Sequence, residues 1–194
     1  FLVQLGVPTT VAFYTDTIMD DWVDKAHIWA AGAHKWPFTE GRVTTTYVAD
    51  STSNEVGFNY PEGWKPDGIR VLQVGGKRFT KISFANYQQF REDFSSDSKK
   101  VFSEHGRLYF INPRADVSGT TTLWGQYTPA ALAETDSSVL TVFSDVADEG
   151  NEAIVQEVMS FAKFKEKKPQ EGILHHQRAM QILEEIWKRI QDEQ

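Results

Sequence analysis

No cysteine occurs anywhere in the 194 residues, which removes disulfides, thiol nucleophiles and thiolate metal sites from consideration. That absence fits folding in a cytosol. No apolar run approaches 18 residues, so no membrane-spanning helix is predicted. The opening Phe1-Leu2-Val3-Gln4-Leu5-Gly6-Val7 stretch lacks a basic leader and a small-residue cleavage pattern, and a signal peptide is not expected. A further absence is local. Between Arg114 and Lys163 there is no basic residue, while Asp116, Glu134, Asp136, Asp145, Asp148, Glu149, Glu152 and Glu157 all fall in that stretch. With a formal net charge of −7, the chain does not match a dedicated nucleic-acid binder, which shows a basic face. A one-signed segment is either a solvated face or an acidic wall towards something anionic that must not stick.

What is present is enough for a core. Hydrophobic residues make up 40% of the chain, with six Trp and thirteen Phe, and the length suits one domain or one domain carrying an insertion. The last forty-odd residues are the clearest. From Asp148 to Lys168 the acids come first and Lys163, Lys165, Lys167 and Lys168 come last, followed by Pro169. That order matches charge to the helix dipole. From Gln170 onward Ile173, Leu174, Met180, Leu183, Ile186, Trp187 and Ile190 recur at helical spacing, which predicts a second amphipathic helix about 24 residues and 36 Å long. Its apolar stripe needs a partner surface, and the expectation is that another polypeptide supplies it.

Residues 1 to about 36 read as helical, with Ile18, Met19, Trp22, Val23, Ala26, Trp29, Ala30 and Ala33 in period, a start signal at Thr17–Asp20 and a stop at Trp36-Pro37. Strand chemistry then takes over. Arg42 to Val48 is β-branched, and Asp50 to Asn54 is a polar loop. Ile69–Val74 and Lys77–Ile82 flank Gly75-Gly76 as a tight hairpin. Ser83 caps a short helix over Phe84–Phe94, directing Phe84, Tyr87 and Phe90 inward. Further strands are expected at Val101-Phe102, Arg107–Ile111 and Thr120–Tyr127, and Pro129 to Asp145 is loop-like. The expected fold is α+β: a small helical bundle of the N-terminal helix plus two C-terminal helices (1–40 and 145–194), with an inserted antiparallel β domain with one short helix (41–144). Strand and helix do not alternate in the βαβ manner, so a doubly wound sheet is not expected.

The search for chemistry returns little. His27 and His34 stand about 10 Å apart along one helix, too far to share a metal. Asp16, Asp20 and Asp24 form an acidic helical stripe, and His175-His176 lack the spacing of a zinc motif. No nucleophile elbow, phosphate loop or dinucleotide fingerprint occurs. The cations Lys77 and Arg78 at the hairpin are contact candidates, with Lys81 and Lys99-Lys100 nearby. No catalytic, metal or cofactor-binding residue is assigned, no cofactor is expected, and the chain does not read as an enzyme.

Taken together, several pieces resemble the bacteriophage head-to-tail adaptor family, also called connector or head-completion proteins. They are the helix ending in Trp36-Pro37-Phe38, the threonine-rich strand, and Pro61-Glu62-Gly63-Trp64-Lys65-Pro66 leading into Ile69-Arg70-Val71. The Gly-Gly-Lys hairpin follows, then Ser83-Phe84 with Tyr87 and Phe90, Arg107 to Pro113, Leu123 to Tyr127, and two closing helices. The resemblance covers roughly residues 15 to 194, and the polar Asp50–Asn59 stretch departs from it. It implies a structural virion protein at the neck of the portal vertex, assembled in the host cytoplasm. Such proteins form a homo-oligomeric ring, generally of twelve copies, that docks under the portal protein, extends the DNA channel and offers a tail or nozzle protein its attachment surface. DNA passes without sticking, and no membrane is involved. The resemblance places the portal contact on Leu183, Ile186, Trp187, Arg189 and Ile190. Under it, Glu134, Asp136, Asp145, Asp148 and Glu149 become channel-facing acids. Two rival readings stand beside it: a tail, baseplate or adhesion module using Trp64 and Trp124 for sugar stacking, and a hydrolase built on Asp/Glu pairs.

Overall fold

The computed structural model describes residues 14–47, 57–93, 99–112, 119–132 and 140–193. It divides into two compact units, residues 1–38 with 129–194, and residues 39–128. The class is α+β, with four helices and a seven-stranded sheet.

In the helical unit, α1 spans Asp16–Ala33, α3 Glu149–Lys165 and α4 Pro169–Asp192. Helix α1 starts at Thr15, whose hydroxyl accepts from the Ile18 N–H at 3.4 Å; Thr17, the expected start, lies inside the first turn. Pro169 is the first residue of α4 rather than only the stop of α3, a position where its missing N–H costs nothing. Helix α3 packs along α4 and against α1. The core comprises Met19, Ala26, Ala30, Trp36, Phe143, Ile154, Val158, Leu183 and Ile186 among others. Residues 140–144, expected in the β domain, belong to this unit. Phe143 is fully buried, edge-on to Trp36 at 5.6 Å and to Phe38 at 5.4 Å.

In the β unit the strands are β1 Glu40–Tyr47, β2 Phe58–Asn59, β3 Trp64–Val74, β4 Lys77–Lys81, β5 Val101–His105, β6 Leu108–Asn112 and β7 Gly119–Tyr127, with α2 at Phe84–Asp93. Their order in the sheet is β1-β7-β3-β4-β5-β6-β2. The hairpin forms as its chemistry dictates, Leu72 opposite Phe79 and Val74 opposite Lys77. Gly75 and Gly76 both take positive φ, 54° and 76°, the pair of left-handed residues a two-residue primed turn requires. Ser83 accepts from the Asn86 N–H at 3.2 Å and Tyr87 is buried.

The sheet is mixed, not antiparallel throughout. Strands β4 and β5 run parallel, Thr80 opposite Val101 and Lys81 opposite Phe102. The reason is α2: a helix plus its following loop is a crossover long enough to return the chain in the same direction. One βαβ step therefore exists where none was expected. Strand β2 lies at the end of the polar Asp50–Asn59 stretch that departs from the resemblance; the loop expected at Asp50–Asn54 falls outside the described residues.

Candidate functional site

The closing helix was expected to offer its stripe to another polypeptide; the chain itself covers the second half of that stripe, while Ile173, Leu174 and Met180 stay 48%, 65% and 38% exposed. Leu183 is 0% and Ile186 3% exposed, inside the helical unit's own core. Trp187 is half-buried, its ring stacked on His34 at 4.9 Å between centroids and edge-on to Trp36 at 5.6 Å. Ile190 packs half-buried against the same core. For Leu183, Ile186, Trp187 and Ile190 the partner surface is the chain itself, supplied by α1, α3 and residues 140–147. Arg189 is also engaged, through two bonds to Glu149 at 2.8 and 3.2 Å. The guanidinium holds the Glu149 carboxyl down to about 2. Glu149 is thus a neutralised partner of α4 rather than a bare acid.

Asp145 and Asp148 are exposed, while Glu134 and Asp136 lie outside the described residues. The charge itself is unevenly placed. Of the 20 basic residues the β unit carries 11 and the helical unit 9; of the 27 acids, 10 and 17. The β unit is therefore at +1 and the helical unit at −8, and the acidity is a property of the helices.

Lys77 and Arg78 are exposed at the β3–β4 turn. Lys81, two residues on, turns instead to a buried carboxylate. Its Nζ lies 2.6 Å from Glu104 Oε1 and 2.7 Å from Asp67 Oδ1, while Glu104 Oε2 accepts from the Ile69 N–H at 3.1 Å and from the Tyr60 hydroxyl. Burial and the neighbouring carboxylate push the Tyr60 phenol well above its usual range. This network surrounds Asp67, which has φ 54°, where β3 shifts register against β7. It fastens a bulge. Trp64 is only 7% exposed and Trp124 lies half-buried beneath Arg42, whose guanidinium is 5.3 Å from its ring. The sugar-stacking platform is therefore not formed by these two rings.

The histidines serve the fold. His175 meets Gln156 and His176 meets Glu157, each at 2.7 Å, and His34 Nε2 is 3.2 Å from Glu184. Among the described residues no group of three or more ligating side chains is placed to hold a metal, and no described helix is long and apolar enough to cross a membrane.

His27 is 2% exposed, and its Nε2 accepts from the Val142 N–H at 3.2 Å. With the Asp24–Leu132 bond, 2.7 Å, it ties the chain leading into α3 onto α1. Burial lowers its pKa below 6.5, against a smaller opposing pull from Asp24. A group depressed in the folded state holds fewer protons there than when unfolded, so its stabilising contribution is complete above about 6.5 and is lost as pH falls below that value. The melting temperature is expected to fall from pH 7 to pH 5, and His27→Gln, which keeps an acceptor for Val142, to flatten that slope. An unchanged slope in the variant would assign the effect to other groups.

Apolar surface is left outside the core, on Leu174 of the expected stripe and on Leu140 and Phe164, which sequence reasoning did not single out. Leu140 is 59%, Leu174 65% and Phe164 49% exposed. A cavity of about 290 Å³ opens beside Leu140, lined by Val23, Ile154, Val155 and Val158. The signals were Phe164 among four lysines and Leu140 within the acidic stretch.

No curated protein matches the chain. A family model, that of the SU10 adaptor protein, matches residues 3–194 and so takes in both units and every element described above. The chain belongs to the SU10 adaptor protein family, a family of bacteriophage head-to-tail adaptors.

Proposed function

We propose that this chain is a structural virion protein of the neck. Copies of it form a ring, of twelve as in the resemblance, that docks under the portal, extends the DNA channel and presents the tail or nozzle protein with its attachment surface. The observation that carries the reading is the family match across 192 residues, 3–194. Within that reading the portal contact uses what the end of α4 leaves uncovered: the outer edges of Trp187 and Ile190, with Lys188 exposed beside them. Leu183 and Ile186 contribute by holding the helix in place. Electron microscopy of the chain mixed with its portal is the direct test. A closed ring seated on the portal is expected, while the chain alone sediments as a monomer or weak oligomer. A chain that ignores the portal at every concentration tried would remove the proposal.

The acidity of the helical unit supports a lumen that repels phosphate. Exposed carboxylates act on passing DNA over a screening length near 8 Å at physiological salt. We assign this role to Asp145 and Asp148, with Glu134 and Asp136 in the same segment; Glu149 is spent on Arg189. Rings carrying Asp145→Lys and Asp148→Lys are expected to retain DNA at about 50 mM salt and release it by about 200 mM, the signature of phosphate contacts. Wild-type rings should retain none. Charge-reversed rings that still ignore DNA would place both residues on the outside.

A further inference from the structure

We infer that neighbouring copies join head to tail by seating the α3–α4 corner of one helical unit in the apolar groove of the next. The inference rests on the ring reading above and names the surfaces that meet. The corner is an apolar knob set among cations. Phe164 packs against the start of α4, since a Cβ on Gly172 would lie 3.0 Å from its ring. It nevertheless stays half-exposed, and Ile173 and Leu174, which follow Gly172 on α4, are exposed as well. Residues 163–171 hold four lysines against Glu166 and Glu171. Lys163 and Lys168 are shared with those acids at 3.0 to 3.5 Å, and Lys165 lies over the Tyr14 and Trp22 rings. The corner is thus a positive spot on a unit that is otherwise strongly negative.

The groove is its complement. It is mostly apolar, lined by Val23 of α1, Leu140, and Ile154, Val155 and Val158 of α3, with Thr141, Ser144 and Asn151 as its polar members, and at about 290 Å³ it accepts one or two large side chains. Acids neighbour its lining residues in the sequence, Asp20 and Asp24 near Val23 and Glu152 three residues before Val155; Asp24 also accepts from the Leu132 N–H. No lysine or arginine occurs in the chain from 115 to 162. Opposite charges around matching apolar features favour one orientation and penalise like-to-like contact.

The two features also face apart. Residues on a helix advance about 100° each, which puts Phe164 about 130° around α3 from the line through Asn151, Ile154, Val155 and Val158. A knob on one side and a hole on the other make a heterologous contact, the kind that generates rings. A two-fold dimer would instead bring identical patches together, groove to groove, with acids opposed.

A cysteine-free chain makes the test clean. Leu140→Cys and Leu174→Cys, both at exposed positions, are prepared as single variants in the full chain. Each is treated with a short bis-maleimide alone and after mixing, with and without portal. Cross-linked dimers are expected only in the mixture, and the double variant should give a ladder extending to the closed ring. Leu174→Glu, at a position 65% exposed, is expected to weaken self-association about tenfold or more while melting at the wild-type temperature, and Glu152→Lys to restore part of the association lost in Lys167→Glu. Rings visible on the portal without the mixed product would overturn this interface and leave the adaptor reading standing, as would equal cross-linking of either single variant with itself. Failure of the chain to form rings with its portal, with no mixed product, would overturn both.

Discussion

Gly125→Ala is expected to destabilise the β unit by about 3 kcal/mol or more, lowering the melting temperature by roughly 6–12 °C. Gly125 sits in the last third of β7, opposite Gly41 of β1 and Ile69 of β3. On the β3 side the register shifts between Trp64 and Ile69 and again before Val71, and this bulge brings the Gly68 carbonyl directly over β7. A Cβ on residue 125 would lie 2.8 Å from the Trp64 ring and closer still to the Gly68 oxygen. A side chain can rotate away; a backbone carbonyl inside a ladder moves only if the strand moves. Gly41 on the neighbouring strand is the control, because its added methyl would meet only the Tyr127 ring, at 3.2 Å. Gly41→Ala should therefore cost well under half as much. Thermal unfolding followed by circular dichroism decides it, and equal stability of the two variants would show that β3 yields freely at the bulge.

That bulge marks the boundary of what a single sequence displays. Local chemistry is legible. Gly75-Gly76 between β-rich runs names its own turn, Ser83 its own cap, and the acid-to-base gradient over 148–168 the direction of α3. Partnership between distant segments is not. The parallel β4–β5 pair depends on α2 carrying the chain back along the sheet, and no residue in Thr80–Lys81 announces it. Trp64 reads as an exposed ring between prolines and glycines, yet the bulge at Asp67 turns it into the core. The stripe on α4 was legible as a stripe, but its periodicity says only that it is covered. Whether the cover is α1 and Phe143 of the same chain or a groove on another protein lies in tertiary structure. The same limit applies to the site. Arg189 looked like a free polar contact for a partner, and Glu149, forty residues away, takes it. The exposed Phe164 and Leu140 passed unremarked because each stands alone against its helical or loop context, and only the fold shows one as a knob and the other as the edge of a hole.

The largest loss in the helical unit is expected from Trp36→Ala, about 3–5 kcal/mol, a major share of the roughly 5–15 kcal/mol that holds a folded chain together. Trp36 is fully buried. It stacks on Phe38 at 5.5 Å and stands edge-on to His34, Phe143 and Trp187. One ring thus joins the exit of α1, the segment leading into α3, and the closing turns of α4. Its indole Nε1 donates to the Ala30 carbonyl, in the last turn of α1, at 3.0 Å. Trp36→Phe isolates that bond. It keeps most of the apolar contact and should cost about 1–2 kcal/mol, clearly less than the alanine. The consequence for assembly follows from the geometry. Trp187, the residue on which portal docking was first placed, is one wall of this cluster, so Trp187→Asp would put a carboxylate against Trp36 and His34 and loosen α4 before any partner is met. A docking defect in that variant is informative only beside its melting curve, and Lys188→Glu, on the exposed side of the same turn, is the variant expected to weaken portal binding with the fold intact. Calorimetry on Trp36→Ala checks the premise. A melting temperature within about 2 °C of wild type, which corresponds to no more than about 1 kcal/mol, would show that this cluster does not hold α4 to the rest of the unit.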